Sequence, residues 1–168
     1  MLADSYDERR VRTGARLFRA LLAADTALEQ KRNAAGELEV WVYSTDARLG
    51  AGISTLLAPP GDPARSAVRG LPLRIKVIEV LPASDGAGVP VGLFLASAPA
   101  AAALPAVIDW SARVRCILFS PHEGHVELGV TAGIAIEAKV QPFLNRRALE
   151  ASGLVLKPFF LKVAKVLP

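Results

Sequence analysis

Apolar positions recur at helical spacing between residues 7 and 33. Leu17, Leu21 and Leu28 form one stripe, with Phe18 and Leu22 beside it. Arg9, Arg12, Arg16, Arg19, Glu29 and Lys31 occupy the polar face. Spacings of three and four residues place side chains on one side of a helix, and Gly36 supplies the stop. The period then changes. Residues 38–44 carry Val40, Trp41, Val42 and Tyr43, β-branched and aromatic types that suit a strand. Thr45 and Asp46 can cap a helix over 47–57. Pro59, Pro60, Gly61, Asp62 and Pro63 make a loop, because proline removes donors and fixes φ. A second strand is predicted over 73–80, with Leu73, Ile75, Val77 and Glu79 on one face.

Residues 82–90 are again rich in Pro, Gly and Asp. Residues 91–97 are almost wholly apolar, as expected of a strand covered on both faces of a parallel sheet. The alanine-rich stretch 98–103 leads into a helix opened by Pro105, whose fixed φ suits a first turn, and running to 113. A fourth apolar strand follows over 115–120. The runs 131–137 and 139–145 pair as a hairpin through Ala138 or form one bent strand. Asn145 caps a short helix, 146–152, stopped by Gly153. Pro158 opens a last amphipathic helix to 166. Alternating strands and helices predict an α/β protein: three-layer, Rossmann-like, with a mainly parallel sheet, an antiparallel C-terminal edge hairpin and short C-terminal helices. No internal repeat or compositional break divides the chain, so residues 1–168 read as one domain.

Composition removes several classes. The 168 residues are 52% hydrophobic and 21% charged, which excludes a disordered chain. The net charge is +4, from 20 basic and 16 acidic residues. Arg9, Arg10 and Arg12 sit among Asp4, Asp7 and Glu8, so no basic stripe predicts nucleic acid as a partner. No apolar run approaches the roughly 20 residues of a transmembrane segment. The first ten residues lack the apolar stretch of a signal peptide. As written the chain reads as cytoplasmic; a removed leader would make it periplasmic. The one cysteine, Cys116, lies in an apolar run and reads as a buried small hydrophobe.

Ligands of open parallel sheets bind beyond the carboxyl ends of the strands. The sequence places Ser44, Thr45 and Asp46 there after the first strand and Ser97 after the third. After the fourth come Ser120, Pro121, His122, Glu123, Gly124 and His125. A zinc site needs three converging ligands, and the helical His-Glu-x-x-His spacing is absent. The plainer reading is a surface loop braced by Glu123 and backbone groups. A triad of Ser120, a histidine and Asp46 lacks the Gly-x-Ser-x-Gly elbow that exposes a serine. Gly50 and Gly52 have neither the spacing nor the lysine of a phosphate loop. No catalytic, cofactor-binding or metal-binding residue is assigned, and no cofactor is expected. Asp46, Ser97, Ser120, His122, Glu123 and His125 form a candidate crevice for a ligand or partner. A second candidate is the last helix, with Lys157, Phe159, Phe160, Lys162 and Lys165. Phe159, Phe160, Val163 and Val166 would dock on the sheet, or the basic amphipathic face would meet a partner or a membrane surface.

The segment 117–145, with Gly124, Gly129 and Gly133 and a strand ending in Asn145, is followed by a short helix stopped at Gly153 and a lysine-bearing last helix. Together these resemble the C-terminal portion of the YfiR/HmsC-type family of bacterial signalling proteins. Residues 11–25 sit where family members carry an opening amphipathic helix. The resemblance implies a non-enzymatic regulator, typically periplasmic and homodimeric. Such a regulator restrains a membrane-bound diguanylate cyclase and so controls cyclic-di-GMP, biofilm and exopolysaccharide. The missing leader makes a cytoplasmic variant acting on a sensor kinase the other form of this reading. The alternative from the residues alone is a small-molecule-binding or hydrolytic α/β protein that uses the strand-end crevice.

Overall fold

The computed structural model describes residues 2–82 and 88–168, so most of the loop expected at 82–90 lies outside the described residues. Helix α1 (Leu2–Ala24) leads to strand β1 (Leu38–Tyr43) and helix α2 (Ala47–Leu57). Next come β2 (Ala67–Val68), β3 (Leu71–Ile78), β4 (Gly92–Leu95), α3 (Leu104–Arg113) and β5 (Ile117–Phe119). The hairpin β6 (Ala132–Ile136) and β7 (Val140–Asn145), helices α4 (Arg146–Ala151) and α5 (Pro158–Val163) and strand β8 (Lys165–Leu167) complete the chain. The sheet order is β2-β3-β1-β4-β5-β6-β7-β8. β1 runs parallel to β3 and β4, and the parallel run continues through β5 and β6. β2–β3 and β6–β7 are antiparallel. This is a Rossmann-like, mainly parallel α/β fold.

Alternation along the central strands builds two cores. Val40, Val42, Phe94, Ile117 and Phe119 point to the face covered by α1 and α2, where they meet Phe18, Leu22 and Ile53. Trp41, Tyr43, Leu93, Leu95 and Leu118 point to the opposite face, where α3 supplies Leu104, Val107 and Trp110. A strand reverses its side-chain direction at every residue, so strands apolar at every position serve both layers. Cys116 belongs to the second core. It is buried, and its thiol pKa is pushed up by loss of solvent. Among the described residues no helix is long and apolar enough to cross a membrane.

Three elements differ from the sequence reading. Helix α1 ends at Ala24 rather than at 33, because Asp25 competes for the backbone. Its buried carboxylate accepts from the Ala27 amide at 2.9 Å and from Lys31 Nζ at 2.6 Å, while its backbone bridges to Leu156. A 3-10 turn, Leu28–Lys31, replaces the last helical turns and still buries Leu28. Local bonding of an Asp side chain to nearby amides is the standard competitor of helix. The two-residue strand β2 was not foreseen, being too short to show a period. The last helix stops at Val163; Ala164 is extended, and the residues after it form β8, parallel to β7. Val166, expected on the helix stripe, is a strand residue. The β6–β7 hairpin therefore lies one strand inside the sheet edge.

Candidate functional site

Strand order reverses at β1 and β4. The chain leaves β1 through α2 on one face and leaves β4 through α3 on the other. Such divergence opens a crevice beyond the carboxyl ends of the two strands. The crevice has a volume of about 1230 Å³, walled by the N-terminal half of α1, by α2 and by the segments after β4 and β5. Its floor includes Ala96, Leu49 and Ile53, and Asp7, Arg48 and Thr55 stand at its walls.

The sequence-chosen residues divide around this space. Asp46 lines the crevice, but its carboxylate is engaged: Oδ1 accepts from the Arg48 amide at 2.9 Å and the Leu49 amide at 3.2 Å, capping α2 as predicted. Ser97 ties the two strand ends together, its Oγ accepting from the Thr45 amide at 3.0 Å. His122 and Glu123 reach the crevice wall. Ser120 is buried beneath them, with Oγ 2.7 Å from His125 Nδ1 and accepting from the His122 amide at 3.2 Å. His125 lies behind the wall, its ring 5.4 Å from that of His122. The paper triad is not assembled, since Asp46 bonds helix amides rather than a histidine. Among the described residues no group of three or more His, Cys, Asp and Glu converges on a metal position.

The 120–125 loop is held differently from the expectation. Glu123 is 76% exposed at its side chain and only 4.0 Å from Arg10 Nη1. The brace is Arg10 itself, whose Nε donates to the Pro121 carbonyl and whose Nη2 donates to the Ile134 carbonyl at 3.0 Å. In the sequence Arg10 is one of three arginines set among Asp4, Asp7 and Glu8, with nothing to single it out. Its partners lie 111 and 124 positions away, beyond the reach of any local pattern. Gly133 makes room for the loop, since a Cβ there would fall 2.6 Å from the Ser120 carbonyl oxygen. His122 Nε2 is 2.9 Å from the Leu95 carbonyl, which pins the loop to the end of β4.

Burial lowers the pKa of both histidines below the ordinary value of 6.5. For His122 the charges of His125 and Arg10 add to burial, against the Leu95 carbonyl and Asp7. For His125, Glu127 opposes it. The unfolded chain therefore binds more protons than the fold as pH drops through 6.5, and linkage removes stability. Unfolding free energy is expected to be flat above pH 7 and to fall as pH drops below about 6.5, by urea titration at each pH. The slope should shrink in His122→Asn; an unchanged slope would assign it to other groups.

No family model matches the chain, and no curated protein matches it. Solved structures do. One is the ABC domain in complex with L-Trp from Streptococcus pneumonia, at 12% identity and a TM-score of 0.58, covering 89% of this chain and 60% of that one. Another is a conserved domain protein from Vibrio cholerae, at 14% identity and a TM-score of 0.55, covering 93% of this chain and 59% of that one. The likeness is one of fold, and the chain spans about three fifths of the length of these structures.

Proposed function

We propose that the protein is a non-enzymatic regulator that receives a segment of a protein partner in the strand-end crevice. The YfiR-type resemblance suggests a membrane-bound diguanylate cyclase or a sensor kinase as that partner. The observation that carries this reading is the size of the crevice. About 1230 Å³ exceeds the roughly 300–1,000 Å³ typical of small-molecule pockets. Asp7 and Arg48 stand in its walls with no ion pair to another described residue, so a partner's charges have counterparts there. Gly52 gives a clean test. It lines the crevice, and a Cβ built on it meets nothing within 4 Å. Gly52→Phe should fill the space without disturbing α2. Calorimetric binding of a purified candidate partner, a diguanylate cyclase or a sensor kinase, should weaken at least about tenfold. Unchanged affinity would remove the crevice from the reading.

A second reading has its own support. One of the similar structures holds L-Trp, and the crevice pairs an apolar floor with the guanidinium of Arg48. In that reading the site takes a small amino acid or another carboxylate. A rise in melting temperature with L-Trp alone, lost in Gly52→Phe and in Arg48→Ala, would favour the small molecule over the partner segment.

A further inference from the structure

The net charge is unevenly placed. Residues 1–136 hold 14 basic and 14 acidic residues, whereas residues 137–168 hold 6 basic and 2 acidic, so the whole +4 belongs to the last 32 residues. Six of the twelve large apolar side chains exposed among the described residues lie within residues 136–163. Val155 is 63% exposed, Phe159 76%, Leu161 40% and Val163 41%, with Ile136 and Val140 beside the β6–β7 turn. On α5, Phe160 faces the core while Phe159, Lys162 and Val163 share the outward side by their i, i+3, i+4 spacing. Gln141 Nε2 donates to the Val163 carbonyl at 3.2 Å and Lys165 Nζ to Glu137 at 2.5 Å, which fastens the end of α5 to the hairpin turn. The hairpin turn, with Ile136, Lys139 and Val140, and the end of α5, with Val163, thus lie at one corner of the sheet. Lys139, Lys157 and Lys162 have no ion pair among the described residues.

We propose that this corner is a docking surface for an anionic lipid membrane. An aromatic ring held outward on a short helix between lysines, with further aliphatic side chains next to it, matches what an interface of acyl chains and negative headgroups takes up. Insertion of Phe159 and Val163 removes apolar surface from water, and the lysines remain at headgroup level with their stems along the apolar region. The sequence reading that docked both phenylalanines on the sheet fails at Phe159, and that failure exposes the feature. The proposal rests on a different surface from the crevice and does not depend on what the crevice binds.

Flotation with vesicles of phosphatidylcholine containing about 30% phosphatidylglycerol tests it. The protein should float with these vesicles, not with pure phosphatidylcholine, and should be released at about 0.5 M salt. Phe159→Glu and the double variant Lys157→Glu, Lys162→Glu should each weaken partitioning by about tenfold or more. Both sets of side chains are solvent-facing, so circular dichroism and melting curves should match the parent protein. Absence of flotation, equal flotation with neutral vesicles, or flotation unaffected by both variants would overturn the proposal. So would a dimeric solution mass that Phe159→Glu converts to monomer, since a second copy would then cover the corner.

Discussion

Asp25→Ala is expected to lower the unfolding free energy by about 3 kcal/mol, one of the larger losses open to a single substitution here. Asp25 is 1% exposed and sits at a knot. Its carboxylate holds Lys31 and the Ala27 amide. Its carbonyl accepts from Arg69 Nη1 at 3.1 Å, and Lys31 in turn donates to the Arg115 carbonyl at 3.3 Å. Arg69 and Arg115 are the two non-glycine residues with positive φ among the described residues, at 52° and 56°. Both strained positions are therefore tied to the same carboxyl-bearing residue. Such conformations persist where surrounding contacts over-determine them. Removing the carboxylate leaves the half-buried Lys31 ammonium without its counter-charge. Asp25→Asn, which keeps an acceptor for the Ala27 amide, should cost about half as much. Urea denaturation measures both. A loss below about 1 kcal/mol in the alanine variant would mean that Lys31 swings to solvent and the knot holds without it.

Gly92→Ala is the second large effect, and it works by crowding. A Cβ on Gly92 would lie 2.5 Å from Phe18 Cζ, 2.8 Å from Cε2 and 3.1 Å from Leu22 Cδ2. The Phe18 ring has nowhere to retreat. It is fully buried and packs at 5.5 Å from Phe94 and 5.6 Å from Phe119, which themselves stack at 5.4 Å. Overpacking of this sort costs about 1–3 kcal/mol, and the rigid aromatic trio puts Gly92→Ala at the upper end. Phe18→Leu alone removes ring contacts and should also destabilise. The pair should cost less than the sum of the two singles by about 1 kcal/mol. Additive losses would show that the clash is relieved by the backbone of β4 rather than by the ring.

The parallel sheet was legible because its central strands carry unbroken apolar runs, and only a strand covered twice has use for that. Residues 40–43, 92–95 and 117–119 give this pattern, and the caps at Asp46 and Asn145 fix where α2 and α4 begin. The end of α1 was hidden because Leu28 keeps the helical spacing although the backbone has left the helix. Strand β8 was hidden for a related reason. Val166 continues the helix stripe of Val163 by its spacing, yet a β-branched residue suits a strand as well, and β7 decides from more than twenty residues away. At the site, the histidine loop was visible as a dense stretch of chemistry. Its fastening was not, because Arg10, Leu95 and Gly133 come from three distant elements. Position in the fold, rather than residue type, separates Ser97 and Ser120, which fasten the strand ends, from Asp7 and Arg48, which face open space.

The burial of Cys116 has a practical consequence. The chain's single thiol is shut inside the α3 core with its pKa raised, so maleimide and thiosulfonate reagents should leave the native protein unmodified. A cysteine introduced at Gly52 or Phe159 would then be the sole reactive position without deleting the natural one. One spin label or fluorophore could report occupancy of the crevice, and another immersion of the lysine-flanked corner, each against a silent background.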